Sequence, residues 1–331
     1  MKRIAIVLLW AVKALADCKS CHPDQASHSN SMTRAMEFVE QCAILRRAPD
    51  LKFQNGRYRY SIIREGGQSI YSVTDGQASL TAPIRWALGL GSAGQTYIFE
   101  HDGKYYESRV SYFQVRNGLD LTIGAMNAAP KNLDEAAGRA MTQNQAKECI
   151  ACHATDAVRN NVLQAETLVP GVQCGRCHED AAGHALAVAA GKVQAAGMTK
   201  LGRLSTEETS NFCGQCHRTW EQIAAEGPRN LNNVRFQPYR LANSKCYDAV
   251  DARIKCTACH DPHRELATKA AAYDSKCEAC HADASRKLKV CPVANSGCVT
   301  CHMPKYELPG ANHLFTDHWI RVARKNASYP I

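Results

Sequence analysis

No run of eighteen apolar residues occurs in the 331-residue chain, so no segment has the length that a membrane-spanning helix needs. Acidic residues are the scarcer sign of charge, 31 Asp and Glu against 40 Lys and Arg. A surplus of +9 suggests a nucleic-acid binder only when nothing else accounts for it. Histidine and cysteine are sparse outside one repeated setting: of 13 His and 17 Cys, only six and three lie elsewhere. That setting is Cys-x-x-Cys-His. It occurs seven times, at Cys18/Cys21/His22, Cys149/Cys152/His153, Cys174/Cys177/His178, Cys213/Cys216/His217, Cys256/Cys259/His260, Cys277/Cys280/His281 and Cys298/Cys301/His302.

Cys-x-x-Cys-His is the attachment sequence of c-type haem. The two thiols add across the porphyrin vinyl groups, and the next histidine is carried under the ring as the proximal iron ligand. Zinc ribbons and thioredoxin-like pairs use Cys-x-x-Cys, but nothing in their geometry requires a histidine after every second cysteine. Seven motifs therefore predict seven covalently bound haem c groups, each with its iron.

The first sixteen residues read as a secretory signal peptide. Lys2 and Arg3 precede the apolar run Ile4–Val12, and Ala14-Leu15-Ala16 makes a small-residue cleavage site. Export to the periplasm, or to the extracellular or cell surface, agrees with where haem is attached. Without Lys2, Arg3 and Lys13 the surplus falls to +6. Seven haems bring about fourteen propionates, so the positive charge is read as compensation for bound carboxylates and not as a nucleic-acid surface.

The expected fold is mainly α, a loop-rich multihaem scaffold with a β-rich insert near residues 51–123. Its expected parts are the signal peptide (1–16), an N-terminal haem segment and helix (17–48), a haem-free β-rich insert (49–125), and a six-haem helical domain ending in a ligand-bearing tail (126–331). Met32, Ala35, Met36, Val39, Cys42 and Ala43 share one face of a helix spanning 32–47. Asn55-Gly56, Asp75-Gly76 and Asp102-Gly103 punctuate the insert, and the alternating runs around the last predict a hairpin. Helices are expected over 181–200 and 206–218, the second with Ser205 and Glu208 as a capping box. Gly89, Gly91 and Gly94 spell G-x-G-x-x-G, but a strand and not a helix follows, so a tight turn is expected rather than a dinucleotide site.

Seven irons need seven distal ligands, and only His28, His101, His184, His263, His313 and His318 remain. At least one iron has no distal histidine from this chain. His184, His263, His313 and His318 are the first candidates, with His28 next. His101 precedes a turn and reads as a loop residue. Met32 is the best thioether candidate, since His/Met ligation is a recognised arrangement. Of the three remaining cysteines, Cys246 and Cys291 are the expected disulfide pair, with Cys42 left over; the alternative is that all three are free. Arg235, Tyr239 and Arg240 read as partners for haem propionates in preference to a pocket for an anionic substrate.

Cys174–His178 with His184, the run Cys259-His260-Asp261-Pro262-His263, and Cys298–Lys305 with His313 and His318 resemble the multihaem c-type cytochrome superfamily. That group includes the tetrahaem cytochrome of hydroxylamine oxidation, hydroxylamine oxidoreductase and pentahaem nitrite reductase. The likeness covers roughly residues 17–48 and 145–322. It implies distal roles for His184, His263, His313 and His318, and for Met32 in Ser31–Ala35, where some relatives carry a ligating methionine. Two departures accompany it: no motif has the lysine that replaces a histidine in the nitrite reductases, and the β-rich insert has no counterpart among the named enzymes.

The expected function is a heptahaem electron carrier between redox partner proteins. Two alternatives stand beside it: a reductase or oxidase of a small nitrogen or sulfur species at one open-coordinate haem, and a self-associating subunit of a conducting filament.

Overall fold

The computed structural model describes residues 18–26, 29–192, 198, 201–248, 253–282, 291–324 and 327–331. The signal segment and His28 lie outside the described residues. The chain divides into two compact units, residues 1–199 and 200–331.

The first unit is built on an antiparallel sheet of nine strands: β1 (Met36–Phe38), β2 (Asp50–Asn55), β3 (Tyr58–Glu65), β4 (Gln68–Thr74), β5 (Ser79–Leu88), β6 (Gln95–His101), β7 (Lys104–Phe113), β8 (Gly118–Leu121) and β9 (Gly138–Met141). β2 to β8 run as a meander in sequence order, and β2 lies beside β8, so the sheet nearly closes on itself. Near closure leaves few unpaired edges. β1 pairs the end of β5, and β9 pairs the start of β7. The turn residues take the backbone shapes that close short hairpins: Asp102 and Gly103 have φ of 49° and 70°, both left-handed. Gly89 ends β5 at φ +89°, where a Cβ would stand 2.6 Å from the Gly94 carbonyl oxygen. The G-x-G-x-x-G run is thus a glycine-dependent turn between two strands.

Residues alternate along the strands, so Tyr60, Ile62, Tyr71, Val73, Ile84, Tyr97, Phe99, Val110 and Tyr112 gather in one buried core. A register shift between Ile84 and Trp86 breaks the alternation. Trp86 and its cross-strand partner Ile98 thereby join a second core with Met36, Met141, Ala146, Ile150 and Ala154. Ala146 and Ile150 belong to the helix Gln143–His153, which ends in the second haem motif. The sheet therefore serves as the bed on which that motif is laid.

A mainly α fold is overturned by this sheet. Most of the haem-motif helices are a single turn, and the segments 36–38 and 138–141, assigned to helical regions, are strands. The helix expected over 32–47 is reduced to Ala43–Arg47. The Asn30 side chain accepts the Met32 and Thr33 amides at 3.0 Å each, an Asx turn that competes with helix formation. Met36–Phe38 then pairs with Trp86–Leu88, so tertiary pairing outweighs a helical apolar pattern.

The second unit has short helices at Thr206–His217, Trp220–Glu226, Gln237–Ala242, Cys256–Cys259, Asp274–His281 and Cys298–His302, and a small hairpin pairing Lys305–Glu307 with Leu314–Thr316. The capping box of Ser205 and Glu208 forms as expected. In the first unit, the helix expected over 181–200 ends at Ala189, and Gly191 at φ +71° closes it. Among the described residues no helix is long and apolar enough to cross a membrane.

Candidate haem-binding sites

Each Cys-x-x-Cys-His motif folds as a helical turn. Positions three and four apart share a helix face, so one turn turns both thiols toward one side and brings the histidine beneath them. The His22, His178 and His260 amides donate to the carbonyls of Cys18, Cys174 and Cys256 at 2.8, 2.8 and 2.9 Å, closing that turn.

None of the fourteen motif cysteines is joined in a disulfide. The first sulfur of each motif is half-buried at Cys18, Cys149, Cys213, Cys256, Cys277 and Cys298 and exposed at Cys174. The second is half-buried at Cys152, Cys177, Cys216 and Cys280 and exposed at Cys21, Cys259 and Cys301. The polypeptide therefore closes over none of them. Such accessibility suits thioether formation, in which the edge of a porphyrin ring has to reach both sulfurs. Among the described residues no three His, Cys, Asp or Glu side chains gather as a metal-ion site.

Two motif histidines face a second histidine from elsewhere in their own unit. His22 and His184 have ring centroids 6.3 Å apart, and His260 and His318 have theirs 6.2 Å apart. Two in-line metal–imidazole bonds of about 2 Å each place ring centres roughly 6 Å apart. The spacing therefore fits an iron held between the two rings, whereas direct packing would bring them closer. His184 stands opposite the first motif, although it follows the third in sequence.

Several imidazoles are fixed from behind. Nδ1 of His153 lies 3.0 Å from the Ala35 carbonyl, Nδ1 of His302 lies 3.0 Å from that of Arg321, and Nδ1 of His318 lies 3.0 Å from that of Thr316. A carbonyl only accepts, so each Nδ1 carries the proton and each Nε2 keeps its lone pair for a metal. Desolvation holds the His153 and His260 imidazoles below the usual histidine range. It pushes His318 down to about 4, with His260 and His217 adding to the effect. Neutral imidazole is the form that binds iron.

The motifs of the second unit are linked closely. A hydrogen bond between the Cys213 and Cys256 thiols is the main influence lowering the Cys256 pKa. Cys277 and Cys298 also hydrogen-bond, and burial with Asp274 and Cys277 pushes the Cys298 thiol up to about 11. The Asp274 carboxylate accepts the Gly297 and Cys298 amides at 2.7 and 2.9 Å, capping the last motif helix from the preceding one. The tail returns to the same region: the Arg321 amide donates to the His302 carbonyl at 3.1 Å, and the Asp317 amide to that of Pro304 at 2.9 Å.

The other candidates are placed differently. His263 turns Nδ1 toward the Asp261 carboxylate at 3.3 Å, and His313 packs edge-on against Phe315 at 4.8 Å. His101 is the last residue of β6, with Nε2 3.5 Å from the Asp102 carboxylate. Met32 is half-buried in the turn before β1, and its carbonyl accepts the Val172 amide just ahead of the third motif. Met36 is core. Cys246 and Cys291 are exposed free thiols, so the expected disulfide is not formed. Cys42 is buried and its thiol lies 3.2 Å from Gln95 Oε1; burial pushes it up to about 11. Arg240, read as a propionate partner, is instead buried against Asp317. That pairing spans 77 residues.

The family model described as cytochrome c554 and c-prime matches residues 123–179. This is a c-type cytochrome family. The matched stretch holds the second and third motifs and supports, at that broad level, covalent haem c, electron transfer and redox partners. No curated protein and no solved structure matches the chain.

Proposed function

We propose that the chain is an exported heptahaem c-type cytochrome that passes electrons between partner proteins. The observation that carries the reading is the pair of facing imidazole sets, His22 with His184 and His260 with His318, at a spacing suited to iron, in a chain with seven attachment motifs. Bound haem supplies the one-electron chemistry. The residues attach it through the fourteen motif cysteines, orient proximal imidazoles through carbonyls such as Ala35 and Arg321, and set motif spacing through contacts such as Asp274 with Cys298. His313, His263 and Met32 complete the candidate distal set, and His28 belongs to it from sequence.

A second reading rests on the ligand shortfall. With His101 turned to Asp102, five distal histidines remain for seven irons, and an open iron is what a reductase of a small nitrogen or sulfur species requires. Carbon monoxide added to the reduced protein separates the two. The carrier reading expects six-coordinate irons and little binding, with Met32 and a residue from another subunit supplying the two ligands that histidine does not; stoichiometric binding at one iron or more, with steady turnover of nitrite, hydroxylamine or tetrathionate, replaces it with the enzyme reading.

A further inference from the structure

Beside His318 lies an ion cluster that haem attachment does not require. Arg240 and Asp317 side chains are 1% and 0% accessible. Nε and Nη2 of Arg240 donate to the two carboxylate oxygens of Asp317 at 2.8 and 2.9 Å, and Arg321 Nη1 donates to the same carboxylate at 2.6 Å. The Arg240 guanidinium also sits 5.1 Å from the Trp319 ring and 4.5 Å from that of Tyr329, and donates to the Pro330 carbonyl at 3.0 Å. Two cations share one anion, a net positive charge, with Arg240 and Asp317 shielded from water and Arg321 17% accessible.

Stability alone is a weak reason for such a cluster. Desolvating the ions costs about as much as their attraction returns, and apolar side chains of similar volume often serve as well. Its position is more telling. Asp317 precedes His318, accepts the Trp319 amide at 3.1 Å, and is tied through its own amide to Pro304. The backbone on either side of His318 is thus fixed, and the ring is oriented by Nδ1 on the Thr316 carbonyl, facing His260 at an interplanar angle of 49°.

We propose that Arg240, Asp317 and Arg321 tune the iron held between His260 and His318, fixing the tilt of the His318 imidazole and raising the reduction potential of that one haem. The proposal rests on the ligation reading above. Ferric haem carries one more positive charge than ferrous haem, so a net cation near the axial ligand favours the reduced state, and the low dielectric around buried Arg240 and Asp317 weakens its screening. The two halves of the cluster should then act with opposite sign. Loss of the anion raises the potential and loss of a cation lowers it. A cluster that only braced the tail would loosen the ligand in the same way whichever member was removed.

The experiment is a potentiometric titration of the purified holoprotein, followed by electron paramagnetic resonance of the individual low-spin ferric signals, for D317N, R240Q, D317E and the packing control I223A. Ile223 is buried in the same unit, outside the axial set. The expected result is an upward shift of a single haem in D317N and a downward shift of the same haem in R240Q. D317E should return near the parent value, and I223A should melt earlier with no potential moved. If D317N does not accumulate as holoprotein, R321Q changes a partner that is 17% accessible and should give the downward shift alone. Shifts of one sign in all variants, or none, overturn the proposal. H318A tests the reading beneath it: loss of one low-spin signal with new carbon monoxide binding upholds the ligation, and an unchanged spectrum removes both.

Discussion

The two units reach a folded state by different means. Residues 17–199 hold three motifs and 18 basic against 18 acidic residues; residues 200–331 hold four motifs and 19 against 13. Both apolar core clusters lie in the first unit, around the sheet. In the second, the buried apolar residues among those described are Ile223, Val234, Pro238, Leu308 and Ala311. A chain segment of that size with so little side-chain core needs another apolar filling, and four porphyrins are one. On the proposed reading their propionates, about eight in number, would also balance the surplus of basic residues there. On that reading haem is an addition where side chains build the core, and part of the core where they do not.

The largest effect expected from this contrast comes from withholding haem. Protein made without haem attachment should keep a protease-resistant fragment around residues 49–141 with β-type circular dichroism, while residues 200–331 are digested. Equal protection of both regions would erase the distinction. Next in size, Trp86→Ala removes the fully buried ring that joins β5 to the helix of the second motif. It should cost about 3–5 kcal/mol, seen as an earlier thermal transition of the first unit, with the His260 and His318 signals unchanged. A uniform loss across all haem signals would mean that the units are not independent in stability.

A smaller and more local break is Gly171→Val. Gly171 has φ +76°, and a Cβ there would stand 1.9 Å from the Thr33 carbonyl oxygen. Strain and displacement of the 32–35 turn should cost about 2 kcal/mol and disturb the haem of His153, whose Nδ1 is held by Ala35. An unaltered spectrum would show that the carbonyl does not govern that ligand. The mildest test concerns thiols. Alkylation reacts with the thiolate, and burial raises the Cys42 pKa to about 11. At pH 8 Cys246 and Cys291 should label in the native holoprotein and Cys42 only after unfolding, counted by mass. Rapid native labelling of Cys42 would place it outside the core.

Local chemistry was legible in the sequence and long-range closure was not. Asp102-Gly103 announced its hairpin because only a left-handed turn closes it, and Ser205 with Glu208 announced a helix start because each satisfies the other's backbone amide. The attachment motifs were legible for the same reason: thiols and imidazole must share one helical turn. His184 read as a ligand, but not that it faces His22 and not its own neighbouring motif, since that depends on how distant segments meet. The 32–47 segment misled because its apolar spacing suits a helix as well as the strand and turn that pairing with β5 selects. Arg240 misled because a guanidinium suits a propionate and a carboxylate equally, and Asp317 is the one that the fold delivers.

The central claim is that each of the seven motifs carries its own haem, including the four that stand in for a core in the second unit. Intact mass of the acid-denatured protein tests it most directly, because thioether bonds survive denaturation and axial bonds do not. The account predicts a mature chain with seven haem additions; a mass corresponding to four or fewer, or to bound zinc in native conditions with no haem, would contradict it.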